Sequence, residues 1–210
     1  ELFKSVEFRA MPENKYTIIS LAVQKSGGGP TKTIGAFKSA LNAELYSFCD
    51  PSRLENDPLS VPGANPVNAM QLPFAKQFMW PSRQDAYDAE QACKEGSMIS
   101  CHSFYRYHIP WMNGIFKQYQ TPYWFVPHGI LDPWVMEYGR PAKKVFWELC
   151  GKRFLENAST VICSSRAEKE KAERFFDLPD VDIVPWPVDL VDIHDRSQRR
   201  FAVRAQLGIP

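Results

Sequence analysis

The chain of 210 residues has almost no net charge, with 25 Lys and Arg standing against 24 Asp and Glu. Such a balance provides no long-range attraction for nucleic acid, so any anionic partner must be met by a local patch. No apolar run approaches the ~20 residues needed to cross a bilayer, and the opening stretch ELFKSVEFRA has no signal-peptide pattern. The five cysteines, Cys49, Cys93, Cys101, Cys150 and Cys163, are odd in number and show no CxxC spacing. This argues against a disulfide scaffold and for buried free thiols in a reducing compartment. Internal repeats and low-complexity tracts are absent. What is present is ordinary globular material, 44% hydrophobic and 13% aromatic, enough for one full core. A soluble, cytoplasmic protein is expected.

Strand-like and helix-like segments alternate along the chain. Tyr16 to Gln24, YTIISLAVQ, is nearly continuous apolar and β-branched sequence, suited to a strand covered on both faces. A glycine turn follows, then a helix with Pro30 in its first turn and Ile34, Phe37, Ala40 and Leu41 on one face. Further strands are expected at Glu44–Cys49, Ser97–Phe104, Thr121–Gly129, Ser159–Ser165 and Val181–Trp186, with helices near Ser82–Lys94 and Tyr107–Tyr119. Asp50 to Pro66, rich in Pro, Asn and Ser, reads as a long loop. Asp132 followed by Pro133 signals a capped helix running to about Glu156, and Ser165 with Glu168 forms a capping box for the next one. The pattern predicts an α/β fold: a Rossmann-like, doubly wound, mostly parallel sheet, which binds ligands at the carboxyl ends of its strands. Residues 1–186 would form this domain, and 187–210, which begins rich in proline and charge, an interdomain linker and the start of a second domain.

Three loops fall at those strand ends. KSGGGPTKT, Lys25 to Thr33, lets main chain approach a ligand closely, and the helix behind it aims its amides at the same place. Gly28, Gly29, Pro30, Thr31 and Lys32 are therefore candidate contacts for an anionic or hydroxyl-rich ligand. An ATPase-type phosphate loop would need glycine where Ser26 and Thr31 stand. His102 ends one strand, and His128 with Gly129 ends another, so both imidazoles can enter one cleft and donate to a sugar hydroxyl or to charge developing at the reacting carbon. Either can equally be a structural imidazole. A zinc site from His102, His108 and His128 is disfavoured because no pair has i, i+4 spacing. On an unbroken helix from Pro133, Trp134, Val135, Tyr138, Ala142, Val145, Phe146 and Leu149 share one face. Arg140, Lys143, Lys144 and Trp147 share the other, where they would suit a peripheral membrane contact if not simply solvated.

These residues resemble the amino-terminal domain of the family 4 retaining glycosyltransferases, which have the two-domain GT-B fold. The resemblance spans nearly the whole chain. It is carried by GGGP at Gly27–Pro30, by His102, by PYWFVPHGILDPW at Pro122–Trp134, by ENASTVICSSRAEKE at Glu156–Glu170, and by VPWPVD at Val184–Asp189. Trp186 and Pro187 depart from it, since the family often has Asn-Gly there. The resemblance implies that Gly28 and Gly29 approach the donor diphosphate and the acceptor, and that His128 faces the reacting sugar as the catalytic residue. It further implies a nucleotide-sugar donor held mainly by a second domain, a saccharide or lipid-linked saccharide acceptor, no metal and no other cofactor. The expected reaction is hexosyl transfer with retention, with this domain inactive alone. The rivals are a nucleotide-hydrolysing switch protein using Lys32 and Thr33, and a non-catalytic Rossmann-like binding domain.

Overall fold

The computed structural model describes residues 15–21, 23–72, 75–95, 98–105, 108–137, 140–186 and 199–209. Its centre is an eight-stranded sheet: β1 (Tyr16–Ser20), β2 (Glu44–Cys49), β3 (Ala64–Leu72), β4 (Ala75–Pro81), β5 (Met98–His102), β6 (Tyr123–Val126), β7 (Thr160–Cys163) and β8 (Val181–Ile183). The strand order is β4-β3-β2-β1-β5-β6-β7-β8. Seven strands run parallel, and β4 alone pairs antiparallel, at the β3 edge. The expected Rossmann-like, doubly wound sheet is what the chain forms.

Side-chain alternation along β1 sets the two layers. Ile18 packs with Val23, Ile34, Leu45 and Val61 beneath helix α1 (Gly28–Leu41), whereas Ile19 joins a larger cluster with Phe48, Cys101, Ile109, Met112 and Phe154. Each fully buried aliphatic contributes about 1.5–3 kcal/mol, which is why a run without polar relief becomes a central strand. α1 starts at Gly28, two residues before Pro30, whose missing N–H costs nothing in a first turn. It stops where Asn42 turns left-handed, with φ 47°.

The sequence reading missed β3 and β4. The stretch 50–66, expected as loop, contains a short helix, α2 (Pro51–Leu54), and the first residues of β3. Pro66 misleads there. It is tolerated because the β4 ladder covers only Ala69–Leu72, leaving this end of β3 with β2 as its one neighbour. The helices α3 (Arg83–Glu95) and α4 (His108–Tyr119) fall where expected.

The helix expected from Pro133 to Glu156 is instead several pieces: α5 (Pro133–Glu137), α6 (Arg140–Phe146), a π turn at Trp147–Gly151 and α7 (Lys152–Glu156). α5 and α6 are separate helices, and the π turn after them winds more residues per turn than an α-helix, so a single 100° phase counted from Pro133 does not carry through. The expected faces are accordingly wrong. Trp134, Val145 and Leu149 are 73%, 59% and 73% exposed. Trp147, expected outside, packs at a tilt against Phe176 with ring centroids 4.8 Å apart. Lys143 folds back onto the Val135 carbonyl and over the Tyr105 ring, at 5.1 Å. Of the basic face expected for a membrane surface, Lys143 and Trp147 are engaged in these contacts, while Lys144 is exposed. Among the described residues no helix is long and apolar enough to cross a membrane.

All five cysteines are buried and unpaired. Burial pushes the Cys49 and Cys150 thiols up to about 11 and Cys93 and Cys163 to about 12, so none is poised to react. Residues 187–198 of the expected linker lie outside the described residues.

Candidate active site

The strand order reverses direction between β1 and β5, and a doubly wound sheet opens its ligand crevice at such a switch point. The loop after β1 is a 3-10 turn, Lys25–Gly27, leading into α1. Gly28 has φ 66°, a conformation closed to most side chains, and a Cβ at Gly28 or Gly29 would meet nothing within 4 Å. The glycines keep open space above the first turn of α1. The loop is held from below by its neighbours: Asp57 accepts from the Lys25 N–H at 3.0 Å and from the Ser26 hydroxyl, Thr31 Oγ1 donates to the Gln24 carbonyl at 3.3 Å, and Gln24 bridges Leu59.

The β5 and β6 ends carry the backbone strain. Ser103, Tyr105 and His128 have φ of 75°, 48° and 51°, and Gly129 has 78°. A non-glycine residue in this region costs roughly 1 kcal/mol or more and persists only where its surroundings impose it. At His128 they do so from two sides. Its Nε2 lies 2.8 Å from His102 Nδ1, and His102 Nε2 lies 3.2 Å from Ser100 Oγ. Behind the turn, the Glu168 carboxylate accepts from the Gly129 N–H at 2.6 Å, the Ser164 N–H at 2.7 Å and the Ser164 hydroxyl at 2.6 Å. Glu168 belongs to α8 (Arg166–Glu173), capped as expected by Ser165, whose Oγ accepts the Glu168 N–H at 3.2 Å. The reciprocal half of the capping box is missing because this carboxylate is spent on the His128 turn.

The resulting cleft has a volume of about 430 Å³, with Gly29, Pro30, His128, Gly129, Glu168 and Trp186 among its lining residues. Trp186 closes one side, with its ring 5.1 Å from His128 and 5.8 Å from Phe37. Asp132 caps α5 through the Trp134 N–H at 3.0 Å and pairs with Lys171 at 2.7 Å on the rim. Burial pulls the His128 imidazole down to about 4, against the upward pull of Glu168, and burial followed by the neighbouring His128 lowers His102 well below the usual histidine range. Both rings are neutral near pH 7.

His102 and His128 do meet, as the topology required, but His102 is 0% exposed and stands behind His128, outside the cleft. Its place as a direct ligand contact is corrected to that of a support. The glycine-loop candidates are divided by α1. Gly29 and Pro30 line the His128 cleft. Gly28, Thr31 and Lys32 line a second groove, of about 660 Å³, together with Lys25 and Lys38. Thr33 Oγ1, which the nucleotide-hydrolysing alternative would require for a metal, bonds the Gly29 carbonyl at 3.2 Å. His108 packs in the core beside Phe48, with centroids 5.7 Å apart. Glu168 and Trp186 were missed as cleft residues. The first looked fully explained by its helix cap, and the second is brought to His128 only by the return of the chain after β8.

The family model described as a glycosyl transferase 4-like domain matches residues 29–189. The chain belongs to this family. Among solved structures, HepE of Anabaena in complex with UDP and glucose aligns with a TM-score of 0.55 at 16% identity, over 93% of this chain and 50% of HepE. HepE in complex with UDP-glucose gives 0.54 at 17% identity, over 92% and 50%. Sucrose-phosphate synthase of Thermosynechococcus elongatus gives 0.50 at 15% identity, over 94% and 53%. These likenesses establish the fold, that of the amino-terminal half of a GT-B glycosyltransferase. The chain spans about half the length of each. Comparison with curated protein sequences gives no match.

Proposed function

We propose that this glycosyl transferase 4-like domain is the acceptor-side half of a transferase that moves a hexosyl unit from a nucleotide sugar to an acceptor hydroxyl with retention of configuration. The observation that carries this reading is His128: a neutral imidazole on a strained turn, locked by His102 and Glu168, and lining a cleft at the β1/β5 switch point. Three consecutive glycines leave main chain exposed beside it. Such an arrangement suits hydrogen bonding to a sugar and to charge developing in a transition state. The bound UDP and glucose of HepE, a protein about twice as long, support a nucleotide-sugar donor; a second domain that holds most of that donor, turnover without metal and an inactive isolated half belong to the same proposal.

The acceptor we assign is a lipid-linked saccharide. Lys25, Lys32 and Lys38 line the second groove, the neighbouring Asp57 carboxylate being engaged by the Lys25 N–H and the Ser26 hydroxyl, and three ammonium groups there suit the phosphate of such an acceptor on the far side of the glycine loop. Five unpaired buried thiols support a cytoplasmic setting.

The test is transfer by the full-length gene product beside this chain, across UDP-, GDP- and ADP-sugars. Activity is expected only in the longer protein, and His128→Ala there should lower kcat by about 100-fold or more with the native fold retained by circular dichroism. Wild-type turnover in that variant would make His128 structural and the non-catalytic binding domain the better description.

A further inference from the structure

His102 is fully buried and neutral, so it carries one N–H to serve two neighbours: Ser100 Oγ at Nε2, 3.2 Å away, and His128 Nε2 at Nδ1, 2.8 Å away. Two arrangements satisfy the His102–His128 contact. In one, Ser100 donates its hydroxyl proton to His102 Nε2, His102 Nδ1–H donates to His128 Nε2, and His128 carries its proton on Nδ1. In the other every bond is reversed: His102 Nε2–H donates to Ser100, His128 Nε2–H donates to His102, and His128 Nδ1 is bare. The second arrangement leaves the Ser100 hydroxyl hydrogen without an acceptor among the described residues, inside a strand between β1 and β6. An orphaned buried donor is costly, enough to select the first arrangement by about fivefold or more.

We propose that Ser100 is a positioning residue: by donating to His102 it sets His128 as the Nδ1–H tautomer, leaving that N–H, the one ring group of His128 with no described protein partner, for the ligand in the cleft. This deepens the glycosyl-transfer reading and rests on it for its catalytic consequence. Geometry at three consecutive links carries it. Ser100 and His102 are two residues apart on β5 and so face the same side of the sheet. Phe37 of α1 packs on His102 with centroids 6.0 Å apart, holding the imidazole in that plane. The turn at His128 is fixed independently by Glu168. His128 therefore acts as a neutral donor with a prescribed nitrogen, in contrast to a proton-abstracting base.

The test is long-range proton–nitrogen NMR on the full chain labelled with ¹⁵N-histidine, at pH 7. His102 and His128 are both expected as Nδ1–H tautomers. In Ser100→Ala the His102 Nε2 is unpartnered in either direction, so the bias is lost and His128 should populate both tautomers, whereas Ser100→Thr, which keeps a hydroxyl, should restore the wild-type signals. A wild-type His128 protonated on Nε2, or an unchanged spectrum in Ser100→Ala, overturns the proposal. In the full-length transferase Ser100→Ala should lower kcat by about twofold or more, the fraction of His128 that no longer presents Nδ1–H, with the donor KM held, and Ser100→Thr should recover it. A tautomer shift with no change in rate would leave the relay standing and sink the catalytic role given to His128, so the two readings fail separately.

Discussion

Helix α1 has a dry side and a wet side, and the contrast explains how one glycine loop serves both. Toward His128, Ser100, His102, Gly129 and Ser164 are joined by hydrogen bonds, and Phe37 and Trp186 pack over the imidazoles. On the opposite side, Lys25 and Lys32 are exposed and line an open groove with Lys38. A group that must present one nitrogen in one direction needs a rigid, desolvated frame. Lysines that meet a diffuse anionic charge need only proximity, and solvent leaves them free to adjust. The dry side should therefore respond to substitution in stability and in chemistry, and the wet side in acceptor binding alone.

The largest expected effect is that of acid. His128 titrates near 4 in the folded protein against a usual value of 6.5, so between these limits the unfolded chain holds the extra proton. Stability is complete above about 6.5 and is lost as pH falls, by about 3 kcal/mol on reaching 4. His102, lowered in the same sense, adds to the loss. Urea melts from pH 7.5 to 5 should show the decline, and His128→Asn should flatten it while Lys32→Glu should not. Equal slopes in all three would mean the histidine pair is not the acid-sensitive element.

Glu168→Gln comes next. The amide keeps one acceptor oxygen but turns its NH₂ toward an N–H donor, of Gly129 or of Ser164, that the carboxylate satisfied. We expect a loss of about 2 kcal/mol in chemical denaturation, with slower transfer in the full-length enzyme as the His128 turn loosens. A neutral outcome would assign the strained turn to some other support.

The smallest expected effect on the fold belongs to Lys32→Glu: within about 0.5 kcal/mol, as for most exposed positions. The same substitution should raise the KM for a phosphate-bearing acceptor and leave the donor KM unchanged. Equal effects on charged and uncharged acceptors would remove the phosphate role from the groove.

Much of this was legible in the sequence, for identifiable reasons. β1, β5, β6 and β7 were recognisable because strands buried on both faces need unbroken apolar runs. Asp132 and Ser165 announced helix starts because a cap is a local bond between near neighbours. β3 and β4 were not legible, since an edge pair with solvent beside it tolerates Pro66 and polar residues. The faces of the segment after Pro133 were misread because neither its division into two helices nor the π turn that follows leaves a clear mark in composition. At the site, GGGP and PHG stood out through glycine and histidine at strand ends. Glu168 and Trp186 did not, because nothing near them in the chain shows what they touch.

The sequence by itself determined the alternating strands and helices, the parallel sheet they imply and the strand ends where chemistry would gather, since these follow from local periodicity and from the need of parallel strands for crossovers. Only the tertiary structure decided that His102 stands behind His128, that Glu168 clamps the turn, and that α1 divides the glycine-loop residues between two clefts. Those facts depend on register between strands distant in sequence and on the side of a helix that meets the sheet, which packing of the whole core selects.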